Sequence, residues 1–216
     1  MENKLIEKIR KHIQKQFETK EGSHDWFHIE RVLKMAQHIQ TKEGGDLEII
    51  SLTALLHDIA DHKYNNNNFE IGSEQAYKLL ISEGANHELA KNVADLVAVI
   101  SFKGSEVNDQ KTSLEGQIVR DADRLDAIGA IGIARAFAYG GSKSRPLYNP
   151  DISPIMHASK EEYAKSKSHT VNHFYEKLLL LKDRMETKTA MEIAEKRHEI
   201  MLKFLDDFKK EWSLTF

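Results

Sequence analysis

The chain has 216 residues, a formal net charge of −3 and no cysteine, with 40% hydrophobic and 30% charged residues. This composition excludes a disordered chain, a disulfide scaffold and a thiolate metal site. It supplies no global positive field that would recruit a nucleic-acid polymer or an anionic membrane, so an anionic partner must be held locally.

The opening stretch alternates charged and apolar residues at helical spacing and has no apolar segment resembling a signal peptide, which predicts a helix over about 2–19. No run of about 18 apolar residues occurs anywhere, so no bilayer-spanning segment is expected and the expected location is cytoplasmic. Ser23 is a fitting N-cap for a second helix to about residue 42, with Asp25 in its first turn, and Gly44-Gly45 stops it. A third helix over about 47–60 is apolar on nearly every side, as a central helix must be, and its end carries His57 and Asp58. The Asn65–Asn68 run reads as an exposed turn. Helices near 69–83 and 86–101 follow, separated by Gly84.

After a polar loop over 103–111, one helix is predicted from about Thr112 to Gly140-Gly141, carrying DADRLDAIGAIGIARAF. Residues 141–158 hold all three prolines and form the longest irregular stretch, a length typical of functional or mobile loops and here read as a lid. Two long amphipathic helices, over about 159–186 and 188–211, close the chain. The fold class is therefore all-α, a helical bundle, with residues 1–216 expected to form one domain.

Three segments carry chemistry. In SHDWFHIERV, His24 and His28 share a helical face. Trp26 and Phe27 read as core aromatics rather than base-stacking ones. In ALLHDIADHKY an apolar helix ends in His57-Asp58 with Asp61 beyond, an arrangement that must be solvated, mutually paired or bound to a cation. In VRDADRLDAIG, Asp121, Asp123 and Asp126 fall within six positions, either as metal ligands or paired with Arg120 and Arg124. Together they offer nitrogen and oxygen ligands suited to manganese, magnesium, cobalt, iron or zinc.

The order His28, His57-Asp58, Asp123 on successive helices resembles the signature of the HD-domain metal-dependent phosphohydrolases. The resemblance implies that these four residues ligate one divalent metal ion, manganese being favoured, within a core over about 20–130 completed by the C-terminal helices. It selects His28 over His24 because His28-Ile29-Glu30-Arg31-Val32 matches the family's first motif. It selects Asp123 over Asp121 because Ala-Asp-Arg-Leu matches the last. The wording of HDWFHIERV, ALLHDIADHKY, DADRLDAIGAIGIAR and NHFYEKLLLLKDRM is similar to a branch of small bacterial HD proteins. Its characterised members are nucleotide pyrophosphohydrolases, which implies a small-molecule nucleotide substrate, cleaved to the monophosphate and pyrophosphate.

Around the ligands, Asp61 shares a face with Asp58 and is a candidate to orient or deprotonate water; its alternative is an ion pair with Lys63. Asp25 either accepts the second N–H of the His28 ring or favours the helix start. Arg31, Lys63 and Arg124 are the candidate phosphate-binding cations. His24 is a candidate acid for the leaving group, with an outer-shell role or a plain place at the helix start as alternatives. His169, His173, Tyr175 and Lys177 read as ordinary helix surface that can also line a cleft. Lys143, Arg145, Lys160, Lys165 and Lys167 are solvated, or close over a polyphosphate. The absence of a G-x-x-x-x-G-K-S/T loop excludes that class of phosphate site. A phosphomonoesterase acting on nucleoside monophosphates and a non-catalytic nucleotide sensor are the competing functions.

Overall fold

The computed structural model describes residues 3–18, 25–60, 70–100, 109–155 and 168–215. Among them the fold is all-α, with no strand. The helices are α1 (Lys4–Phe17), α2 (Trp26–Glu43), α3 (Leu47–Leu56), α4 (Glu70–Ser82), α5 (His87–Ile100), α6 (Leu114–Asp126), α7 (Gly129–Ser142), α8 (Thr170–Glu176) and α9 (Lys188–Ser213), with a 3-10 helix over Leu178–Arg184. None is long and apolar enough to cross a membrane. The chain divides into two compact units, one from residues 1–102 and 110–123, the other from 103–109 and 124–216, so the division falls within α6.

The first unit is organised by α3. Asp46 caps its N-terminus by accepting from the amides of Glu48 and Ile49, and every residue from Ile50 to Leu56 is buried. Helices α1, α2 and α5 pack around it, as its all-round apolar surface requires. Full burial of side chains such as Ile50, Leu52, Leu55 and Leu56 contributes about 1.5–3 kcal/mol each. The helix stops at Leu56, earlier than the expected residue 60, and His57 to Ala60 form a turn. Gln16 secures that turn from α1 by donating to the Ile59 carbonyl at 3.0 Å.

Helix α2 begins at Trp26, with Asp25 rather than Ser23 as its cap; Ser23 lies outside the described residues. The Asp25 carboxylate accepts from the His28 backbone amide at 2.8 Å. Gly44 and Gly45 end α2 at positive φ (84° and 89°), a region that costs glycine nothing. The Asn65–Asn68 turn falls outside the described residues.

In the second unit, the single helix expected from Thr112 to Gly140 is two. Gly129 adopts φ 75° and separates α6 from α7. The carbonyls freed at the break are taken by distant arginines: Arg135 donates to the Asp126 carbonyl at 3.2 Å and Arg197 to that of Leu125. Gly140 and Gly141 lie inside α7, which runs on to Ser142. The helix expected over 159–186 is also interrupted, because Lys177 leaves helical geometry and the LLLL run continues as the 3-10 helix. An aromatic cluster of Phe137, Phe174, Phe204 and Phe208, with ring centroids 5.7–6.4 Å apart, holds α7, α8 and α9 together. Each such pair adds about 0.5–1.5 kcal/mol beyond area burial.

A Cβ at position 129 would meet the Arg197 Cγ and Cβ at 2.9 and 3.0 Å, and the positive φ strains any L side chain. Gly129→Ala is therefore expected to destabilise the protein by about 1–3 kcal/mol, read as a lowered denaturant midpoint.

Candidate metal centre

Two helix-derived histidines meet at the end of α3. His28, in the first turn of α2, and His57, just past α3, face each other through their Nε2 atoms at 3.3 Å, with the rings edge to face. The Asp58 Oδ2 lies 3.6 Å from the His28 Nε2 and 3.7 Å from that of His57. The Asp123 Oδ1, presented by α6, lies 3.5 and 4.0 Å from the same two atoms. The donors of His28, His57 and Asp58 all lie within 4.8 Å of one another, and Asp123 borders both histidines.

The chemistry of this set fits a divalent cation. The His57 Nδ1 sits 2.8 Å from the Ala54 carbonyl; a carbonyl only accepts, so Nδ1 carries the proton and Nε2 presents a lone pair inward. At metal–ligand bonds of about 2.0–2.2 Å, neighbouring ligand atoms around one ion lie about 3 Å apart, close to the spacing here. Two carboxylates balance a divalent charge. Exposure rises from 1% at the His28 side chain to 15% at Asp58 and 31% at Asp123, so the nitrogen end is buried and the carboxylate end is open to solvent.

Arg31 lies on α2 one turn after His28 and is half-buried. Arg124 is buried and already engaged: it meets Asp109 at 2.6 Å, donates to the Arg184 carbonyl and lies 3.8 Å from Glu186. Its guanidinium thus has a structural occupation that a phosphate would have to displace. Asp61, His24 and Lys63 lie outside the described residues, as do Lys160, Lys165 and Lys167. Asp25 acts as the cap of α2 through the His28 backbone. Asp126 pairs with Arg135 at 2.6 Å, and Asp121 is fully buried.

Two aromatic expectations separate. Trp26 is buried, with the Arg10 guanidinium 5.8 Å from its ring centre, whereas Phe27 is 63% exposed and does not belong to the core. Adjacent helical positions point about 100° apart, and the core takes Trp26 while Phe27 turns outward. The surface reading of His169 also fails. It is buried and caps α8 by accepting from the Asn172 amide, while its Nε2 and the Asn172 side chain reach the Ile152 carbonyl at 3.2 and 3.0 Å. Buried Glu176 accepts from Ser168 and from the Ile155 amide, both at 3.2 Å. Much of the NHFYEKL wording therefore serves to fasten residues 152–155. Lys143 and Arg145 each lie 5.8 Å from the Tyr139 ring centre.

Residues 26–128 match the HD domain family. The chain is 38% identical over 211 residues to the uncharacterized protein YpgQ of Bacillus subtilis, covering 97% of this chain and 95% of that one. The chain belongs to the HD domain family. Among solved structures, this HD protein is similar to an HD-superfamily hydrolase from Bacillus thuringiensis, with 42% identity, 96% of each chain covered and a TM-score of 0.75. It is also similar to YpgQ crystallised in complex with ADP, with 36% identity, 95% of this chain and 97% of that one covered, and a TM-score of 0.74. The family assigns it the fold of the metal-dependent HD-superfamily hydrolases, and an HD domain implies a divalent ion.

Two outcomes follow. Calorimetric titration with Mn²⁺ is expected to show one divalent ion per chain, with His57→Ala weakening it by at least about a hundredfold, since even outer-shell losses reach that size. Separately, burial pushes the Asp109 carboxyl up, but the hydrogen bonds and charges of Arg124 and Arg184 outweigh it and hold the group below its ordinary value of 3.8. A depressed carboxylate contributes stability that is present above its unfolded value and lost as pH falls through the folded one. Asp109→Asn is expected to cost about 1 kcal/mol at pH 7, the carboxylate being partly solvated, with the difference from wild type shrinking below about pH 3.8 in urea titrations.

Proposed function

We propose that this HD protein hydrolyses nucleotide phosphate bonds, converting nucleoside triphosphates to the monophosphate and pyrophosphate with a bound divalent ion, Mn²⁺ being the best fit. The observation that carries the reading is the facing pair of Nε2 atoms at 3.3 Å flanked by the two carboxylates. The ADP complex of YpgQ supports a nucleotide as the class of substrate, and the wording of the motifs supports the pyrophosphohydrolase branch.

When bound, a divalent ion supplies Lewis-acid polarisation of a phosphoryl group and acidifies water. His28, His57, Asp58 and Asp123 are assigned as its ligands. The Ala54 carbonyl keeps the proton of His57 on Nδ1, so that Nε2 stays available. Asp58 and Asp123 form the solvent-facing side, the direction from which substrate arrives. Asp61 is assigned to orient the attacking water and accept its proton, and His24 to return a proton to the leaving group. Arg31 and Lys63 are assigned to the phosphate oxygens. Arg124 is left to its pairs with Asp109 and Glu186.

The test is product analysis. Incubation of the Mn²⁺-loaded protein with a nucleotide panel is expected to release pyrophosphate and a monophosphate, and Asp58→Ala to lower kcat/KM by at least about a hundredfold. Orthophosphate from monophosphates would instead establish a phosphomonoesterase, and tight binding without turnover by any metal a sensor.

A further inference from the structure

We propose that Phe27 is the base-stacking residue of the site, a specificity role that rests on the nucleotide reading above. Phe27 immediately precedes His28 in the first turn of α2 and is 63% exposed, while Trp26 on its other side is buried beneath Arg10. The core thus takes one ring of the Trp-Phe pair and leaves the other to solvent at the residue adjoining a metal-facing histidine.

Helical phase makes this placement specific. Phe27 and Arg31 are four apart and share one face of α2, and that face flanks the one carrying His28. Side chains on a helix lean toward its N-terminus, so Arg31 leans toward the turn that bears Phe27 and His28. One turn of α2 therefore offers three groups in the order a nucleotide needs them. The imidazole belongs to the cluster that meets the phosphates, the guanidinium suits phosphate oxygens with its planar fork, and the ring offers an apolar face to a base. Adjacent Cα atoms are about 3.8 Å apart, a small fraction of the length of a nucleoside triphosphate, so Phe27 lies within reach of a nucleotide anchored by its phosphates at the cluster.

The chemistry also fixes the breadth of recognition. An exposed phenyl ring carries no hydrogen-bonding group, so it stacks on any base and reads none. Phe27 therefore adds affinity for nucleotides of any base, with purines gaining more because their rings are larger. Inorganic polyphosphate has nothing to stack and gains nothing from Phe27.

Binding equilibria in the presence of Mn²⁺ test this, using ADP, CDP and inorganic tripolyphosphate against wild type, Phe27→Ala, Phe27→Leu and Phe27→Trp, each first checked for wild-type circular dichroism and melting. Base–aromatic stacking predicts that Phe27→Ala weakens ADP about tenfold and CDP less, that Phe27→Trp restores both, and that tripolyphosphate affinity moves less than about twofold. Phe27→Leu, equally apolar but without a π-face, should resemble Phe27→Ala. Equal ADP affinity in wild type and Phe27→Ala overturns the assignment alone. So does a parallel loss of tripolyphosphate, or full rescue by leucine. Failure of wild type to bind either nucleotide overturns the nucleotide reading with it.

Discussion

Two imidazole nitrogens 3.3 Å apart, with carboxylate oxygens close to both, are an arrangement that apolar packing alone would not select. Its electrostatic logic is that of a hole for a cation, and the first unit is arranged to present it. A helix buried along every side fixes its own end in space, because any rotation of α3 would move Ile50, Leu52, Leu55 and Leu56 out of their contacts. His57 and Asp58 inherit that rigidity as the next two residues. Gln16, gripping the Ile59 carbonyl, holds the turn from the far side.

Much of this was legible in the sequence. The all-round apolar character of residues 47–56 announced a central helix, and the polar His57-Asp58 pair at its end was too costly to be incidental. His28, with its face on α2, and Asp123, on α6, are brought to the same place by the structure. Neither periodicity nor spacing alone could choose His28 over His24 or Asp123 over Asp121; motif wording made that choice. His24 and Asp61 stand outside the described residues, so their roles rest on sequence alone.

What the sequence hid were contacts between distant positions. The break at Gly129 looks like ordinary helix, because small residues on either side have good helical propensity, and the groups that stabilise it, Arg135 and Arg197, are 6 and 68 positions further on. Arg124 read as a phosphate-binding cation because its partner Asp109 sits in a polar stretch that declares no structure. His169 read as surface because histidine is usually solvated; only the fold supplies the carbonyl of residue 152 and the amide of residue 172 that let it be buried. Phe27 erred the opposite way, since aromatic residues are usually counted toward a core.

The cap on α2 ties together two things that are normally separate. Asp25 accepts from the amide of His28 itself, so the hydrogen bond that starts the helix also anchors the backbone of a residue in the metal-facing cluster. First turns are where helices fray. In this protein, fraying there would loosen a cluster histidine from its place, so exchange of the His28 amide proton with solvent becomes a direct clock of how often the site comes apart, readable without substrate.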